Sequence, residues 1–177
     1  TGYVYDAEAA NVESGIIAGD GSLVLKVYFK EQFTVSYEPG EHGTFETQTT
    51  GSLDYGAATP EAPKATGEAG YTFTGWAPEV AEEVTGNATY VAQWTANTDT
   101  KYTVEFYYEE AGSYPKEATR TEARTGTTDT QVSVTAEDKV PTETGYVYDT
   151  AAGNVESGKI AGDGSLVLKV YFKEQFT

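Results

Sequence analysis

Apolar and polar residues alternate with a period of two along much of the chain, a pattern that predicts strands rather than helices. In Tyr102-Thr103-Val104-Glu105-Phe106-Tyr107-Tyr108, residues Tyr102, Val104, Phe106 and Tyr108 share one face, and Thr103, Glu105 and Tyr107 share the other. Residues 165–173 repeat the pattern, with Leu166, Leu168, Val170 and Phe172 inward and Val167, Lys169, Tyr171 and Lys173 outward. Residues 33–37 and 89–94 alternate in the same way. Helix signals are poor: residues 135–139 have room for one turn before Pro141, and 78–84 are too short and too β-compatible to specify a helix. Turns punctuate the strands at Gly19-Asp20-Gly21-Ser22, at its echo Gly162-Asp163-Gly164-Ser165, and at Glu38-Pro39-Gly40-Glu41-His42-Gly43. The pattern predicts a mainly β, or sparsely helical α+β, chain.

The same pattern recurs almost letter for letter. Residues 1–34 return as 144–177, identical at 30 of 34 positions, with differences only at Ala7/Thr150, Glu8/Ala151, Ala10/Gly153 and Ile16/Lys159. The identity extends to solvent-type residues such as Lys26/Lys169 and Glu31/Glu174, which a shared fold would not require. A period of 143 residues is too long for a solenoid unit, so each period is expected to hold one or two domains that fold alone. Residues 1–32 then read as the C-terminal half of a preceding module, 33–97 as a complete domain, 98–100 as a polar linker and 101–177 as a second complete module. The two complete modules share landmarks: an aromatic-Thr-Val opening (Phe33, Tyr102), a Gly-Tyr that starts an aromatic strand (Gly70-Tyr71, Gly145-Tyr146) and an alternating closing strand. Tyr3, Tyr5, Tyr146 and Tyr148 alternate with valines and are expected to fill core. At the other junction Lys30-Glu31-Gln32 is so short that one module is expected to run into the next through a stiff joint.

Gly70-Tyr71-Thr72-Phe73-Thr74-Gly75-Trp76, followed by Pro78, Val84-Thr85 and Tyr90-Val91-Ala92-Gln93-Trp94, resembles the internalin B-type (Listeria–Bacteroides) repeat of bacterial surface proteins over residues 33–95. The segment 101–177, with its opening Tyr102–Tyr108 strand and residues 160–172, is more loosely similar to mucin-binding-protein-type repeats of Gram-positive adhesins. Both resemblances imply small β-grasp-like domains joined end to end along an extracellular, cell-wall-attached adhesin. Neither family offers a shared catalytic or ligand residue to carry over.

Charge and residue inventory narrow the chemistry. The net charge of −17 disfavours nucleic acid and anionic membrane as partners. No apolar run approaches the length of a membrane span, and the first residues lack the features of a signal peptide, so any export signal or wall anchor is expected outside this segment. With no cysteine there is no disulfide or thiolate chemistry. No catalytic motif is present, and adjacent carboxylates such as Glu82-Glu83 and Glu109-Glu110 point to opposite faces of a strand, so no enzyme, cofactor or metal is expected. The Asp-Gly-Ser turns lack the further acidic ligands of a calcium loop. An isopeptide crosslink is disfavoured because Lys26, Lys169 and Lys173 fall on outward phases. One ligand site suggests itself: if their strands are neighbours, Tyr107, Lys169 and Tyr171 form an exposed patch on which a host glycan or mucin sugar could stack. The alternative is that these tyrosines simply brace the sheet. Finally, residues 1–31 carry an apolar closing strand without its module, which predicts strand-exchanged self-association.

Overall fold

The computed structural model describes residues 2–175 and is built almost wholly from strands, with a single 3₁₀ turn and no α-helix among the described residues. The chain folds as two compact units, one of residues 1–66 and 73–93, the other of residues 67–72 and 94–177.

β1 (Gly2–Tyr5), β2 (Phe29–Glu38), β3 (Gln48–Asp54), β4 (Tyr71–Ala77) and β5 (Ala88–Ala96) form a sheet, most of it in the first unit, in the order β1-β2-β5-β4, with β3 also on β2. β2 lies antiparallel to β3 and parallel to β5, with Val35 opposite Ala88 and Tyr37 opposite Tyr90. Its alternation buries Val35 and Tyr37, which form the core with Val84 and Tyr90. Trp76 packs edge-on against Tyr37, with ring centres 5.0 Å apart. The buried Tyr37 hydroxyl donates to the Pro60 carbonyl at 2.7 Å, so its polar tip is satisfied. β2 runs without a break through Lys30-Glu31-Gln32, pairing with β1 at residues 29–32 and with β3 from Gln32 onward. The short joint expected there is the interior of one strand.

In the second unit, β6 (Thr100–Tyr108), β7 (Arg120–Gly126), β8 (Gln131–Ser133), the 3₁₀ turn Glu137–Lys139, β9 (Tyr146–Tyr148), β10 (Ser157–Lys159) and β11 (Val167–Glu174) follow in order. The main sheet is ordered β7-β6-β11-β9, and β8 pairs with β10 in a separate ribbon. β6 and β11 are parallel neighbours, with Val167 opposite Thr103 and Phe172 opposite Tyr108. The inward phases read from the sequence hold: Tyr102, Val104, Phe106, Tyr108, Leu168, Val170 and Phe172 are buried together with Ile160. Asn97-Thr98-Asp99 lie between β5 and β6, one position ahead of the expected linker; the Asn97 backbone N–H donates to Gly70 at 2.8 Å, its carbonyl accepts from Thr128 at 2.9 Å, and its side chain accepts from the Thr72 hydroxyl at 2.6 Å.

In each sheet a long strand, β2 or β6, thus lies parallel beside the closing strand, β5 or β11, and is flanked on its other side by the antiparallel strand that follows it, β3 or β7. A further strand, β4 or β9, pairs with the far side of the closing strand. That is a β-grasp-like arrangement without the grasped helix. The Gly-Tyr landmark serves the same turn in both: Gly70 and Gly145 have φ of 84° and 85°, a left-handed conformation that glycine adopts without steric cost, and each is followed at once by its edge strand.

The edge strand β7 handles its exposure with charge. Arg124, Glu122 and Arg120 stand opposite the core residues Tyr102, Val104 and Phe106, on the same side of the sheet. The Arg120 guanidinium lies 3.8 Å from the centre of the Phe106 ring, Glu122 bridges the two arginines, and Arg124 forks onto Asp138. Asp138, only 7% exposed, also accepts from the Thr135 backbone N–H at 2.7 Å. Arg124 first, then Thr135, hold its carboxyl down at about 2. A carboxyl depressed in the folded state stabilises above its unfolded pKa of about 3.9 and loses that contribution as pH falls toward the folded value. Asp138→Asn is therefore expected to cost about 2 kcal/mol at pH 7, with the gap to wild type closing between about pH 4 and pH 2. Urea midpoints across that range measure it.

Candidate functional site

β6 and β11 bring the three candidate residues together. Tyr171 stands directly opposite Tyr107, and Lys169 opposite Glu105, all on the face away from the core. The rings of Tyr107 and Tyr171 stack with centres 4.6 Å apart and an 11° tilt. Tyr114, in the loop after β6, closes the group by meeting Tyr171 edge-on at 4.9 Å. The Tyr107 hydroxyl donates to Glu105 at 2.6 Å. Lys169 Nζ sits 5.6 Å from the centre of the Tyr107 ring and 3.7 Å from Glu105. The Tyr114 hydroxyl donates to Asp149 at 2.8 Å, and Lys173 approaches that carboxylate at 3.5 Å.

This geometry corrects the expectation of an open patch. Tyr107 lies on the outward phase of its strand yet is only 5% exposed. Tyr171 closes one face of its ring, and Glu105 takes its hydroxyl. Tyr171 and Lys169 keep partial exposure. The tail copy shows the same strand positions without the cover: Tyr28, the counterpart of Tyr171, is 44% exposed. Strand period alone placed Tyr107, Lys169 and Tyr171 on one face; Tyr114 and Asp149 come from loops, where no periodicity could flag them.

The electrostatics are those of a braced surface. Glu105 holds the Tyr107 hydroxyl above the usual tyrosine range, while burial, then Asp149, does the same to Tyr114. Tyr107, then Glu105, keeps Lys169 above the usual lysine range. Asp149 is held low, chiefly by the Ala151 backbone N–H and then by Tyr114. At neutral pH these shifts leave the Tyr107 and Tyr114 phenols neutral, Lys169 charged and Asp149 ionised. Nothing in that arrangement gives a nucleophile or a base poised near pH 7.

Elsewhere the candidate groups serve turns. Asp20 and Asp163 each accept the backbone N–H two residues on, Ser22 and Ser165, at 3.0 Å. The chain direction reverses there with Gly21 and Gly164 in left-handed conformation. Among the described residues no three acidic or histidine side chains gather as metal ligands. The Tyr3 and Tyr5 of the tail, expected in a core, are exposed, whereas Tyr146 and Tyr148 pack on the core as expected. No described helix is long and apolar enough to cross a membrane.

Neither a family model nor a curated protein matches the chain. Among solved structures it is similar to one described as "Streptococcal High Identity Repeats in Tandem (SHIRT) domains 3-4 from cell surface protein". The likeness covers 81% of this chain and 97% of that chain, at 20% identity and a TM-score of 0.29. At that level it assigns neither domain boundaries nor a role.

The stacked pair generates a direct test. Tyr107→Ala should destabilise the protein by about 3 kcal/mol, as for truncation of a buried aromatic. Tyr171→Ala should cost less, and a double-mutant cycle should return a coupling of about 0.5 to 1.5 kcal/mol. Denaturant unfolding of the four proteins measures both.

Proposed function

We propose that the chain is a non-catalytic stalk segment of a bacterial cell-wall-attached surface adhesin, whose repeats set how far a distal binding domain projects. The observation that carries this reading is the parallel pairing of β6 with the closing strand β11, and of β2 with β5. A parallel pair has both N-termini at one end, so the chain comes into the unit at one end of β6 and leaves from the opposite end of β11. Tension along such a chain slides β6 past β11 and loads their ladder together, in shear, rather than opening it one bond at a time. The same holds for β2 and β5. The uninterrupted β2 also carries load from its β1-paired end into its pairing with β3 and β5 without a slack linker. The acidic surface, at net charge −17, keeps neighbouring stalks apart.

Near-identical repeats fit this role, because array length can change by recombination while each unit stays foldable. A weak, multivalent glycan or mucin site is the other reading. It draws on the exposed parts of Tyr171 and Lys169, but the closed Tyr107 ring leaves little aromatic face for a sugar.

Single-molecule pulling distinguishes the load-bearing role. Attached at residues 100 and 174, the second unit should resist as one shear event. Attached at Thr100 and Gly126, which face each other across the antiparallel β6–β7 pair, the same unit should unzip at a clearly lower force. Equal forces in the two geometries would remove the argument for a stalk.

A further inference from the structure

The two near-identical segments, 2–32 and 145–175, show one sequence with and without its partner strands. Their local frames agree. Tyr5 pairs with Phe29, Val4 with Lys30 and Tyr3 with Glu31, the register in which Tyr148, Val147 and Tyr146 pair with Phe172, Lys173 and Glu174. The bridge Val12–Lys26 repeats Val155–Lys169. Asn11 Nδ2 donates to the Asp6 carbonyl at 2.6 Å and Asn11 Oδ1 accepts from Tyr28 at 2.8 Å, as Asn154 does with Asp149 and Tyr171 at 2.7 and 2.9 Å. Leu23 folds over Gly15 as Leu166 folds over Gly158.

What differs is the face that should be core. Ile160, Leu168, Val170 and Phe172 are all 0% exposed, whereas their counterparts Ile17, Leu25, Val27 and Phe29 are 85%, 53%, 54% and 60% exposed. Where β11 begins at Val167, the counterpart Val24 is not in a strand, and β2 begins only at Phe29. Hydrogen bonds from β6 and the ribbon partner β8 are what the second copy has and the first lacks.

We propose that residues 2–32 are a preformed docking surface for one kind of partner, a strand pair with the sequence and register of β6–β7, supplied by another repeat unit. It would add parallel to residues 24–29, with the position of Thr103 opposite Val24 and that of Tyr108 opposite Phe29. The occupant follows from what is seated on the same sequence in the second unit. Its alternating Tyr102, Val104, Phe106 and Tyr108 flank the apolar residues on the same face and extend it into one core, and its backbone satisfies the residues that lack a ladder. A second copy of this chain fits less well. Each copy has one such strand pair for two acceptor segments, so exchange between copies covers one face only by baring another. Packing two bare faces together would leave residues 24–28 without strand partners, against the repulsion of two chains of net charge −17. The inference rests on this internal comparison and stands apart from the stalk role.

The test joins a second copy of residues 101–143 ahead of Thr1 in the full chain, repeating the Glu143–Thr144 junction. Amide exchange is followed at residues 24–29 and, as an internal control for folding, at 167–172. Protection at 24–29 should rise by about 100-fold or more, toward that of 167–172, as expected when a frayed segment joins a cooperative unit. Val104→Asp in the added copy alone should abolish the gain. Exposed amides at 24–29 in the extended chain would overturn the proposal, as would protection that survives the Val104→Asp change. Concentration-dependent protection of these amides in the unextended chain would also overturn it, because the occupant would then be a second copy.

Discussion

The parallel contact between the first and last strand of a module is the interaction on which the rest of the second unit depends. β11 carries three wholly buried side chains, Leu168, Val170 and Phe172, and β6 carries two more in Val104 and Phe106. The two sets lie side by side on one face, packed against Ile160, Val132, Val134 and Leu166, and full burial of one such side chain contributes about 1.5 to 3 kcal/mol. β9, the β8–β10 ribbon and the charged strand β7 all attach to that pair. The dependence is visible in the first 34 residues, where the same closing sequence keeps its turns and its β1 pairing yet fails to make a strand before Phe29. Turn chemistry is local and survives; strand structure is borrowed from a partner about sixty residues away in sequence and does not.

That asymmetry explains what the sequence made legible. Alternation gave the faces of β2, β5, β6 and β11, because both sides of these central strands are specified by burial on one face. The Gly-Tyr landmark marked β4 and β9 through a backbone requirement that only glycine meets without cost. The strands β3 and β7 left no such trace: Gln48–Asp54 and Arg120–Gly126 are mostly polar, with one apolar side chain each, Leu53 and Ala123. At β7 the reason is physical, since the core-facing positions hold Arg120, Glu122 and Arg124, whose aliphatic stems and stacked guanidinium cover Phe106 while their charges pair along the edge. A hydrophobic period cannot register a core lid made of salt-bridged arginines.

The candidate site failed for a related reason. Tyr107 belongs to the outward phase, and period two gave its direction correctly. Burial was decided by contacts that period does not specify, the cross-strand stacking of Tyr171 and its edge contact with the loop residue Tyr114 anchored on Asp149. The face opposite the core is therefore not bare sheet but a small second cluster, in which aromatic stacking replaces depth of burial. A thin module with one core face gains from such bracing, because its strands would otherwise be held from one side alone.

Edges, finally, are treated according to whether they must stay free. β7 carries an ion-pair ladder, which discourages a further strand from adding. The edge of residues 24–28 carries no such guard: its outward residues are Val24, Lys26 and Tyr28, and its inward residues Leu25 and Val27 are apolar. In residues 167–171 the identical sequence sits in the middle of a sheet, where a guard would be a defect. The bare edge is thus a central strand by composition, seen without its neighbour. Its apolar exposure follows from the repeat's own design: a unit whose first and last strands must meet cannot protect either of them against the absence of the other.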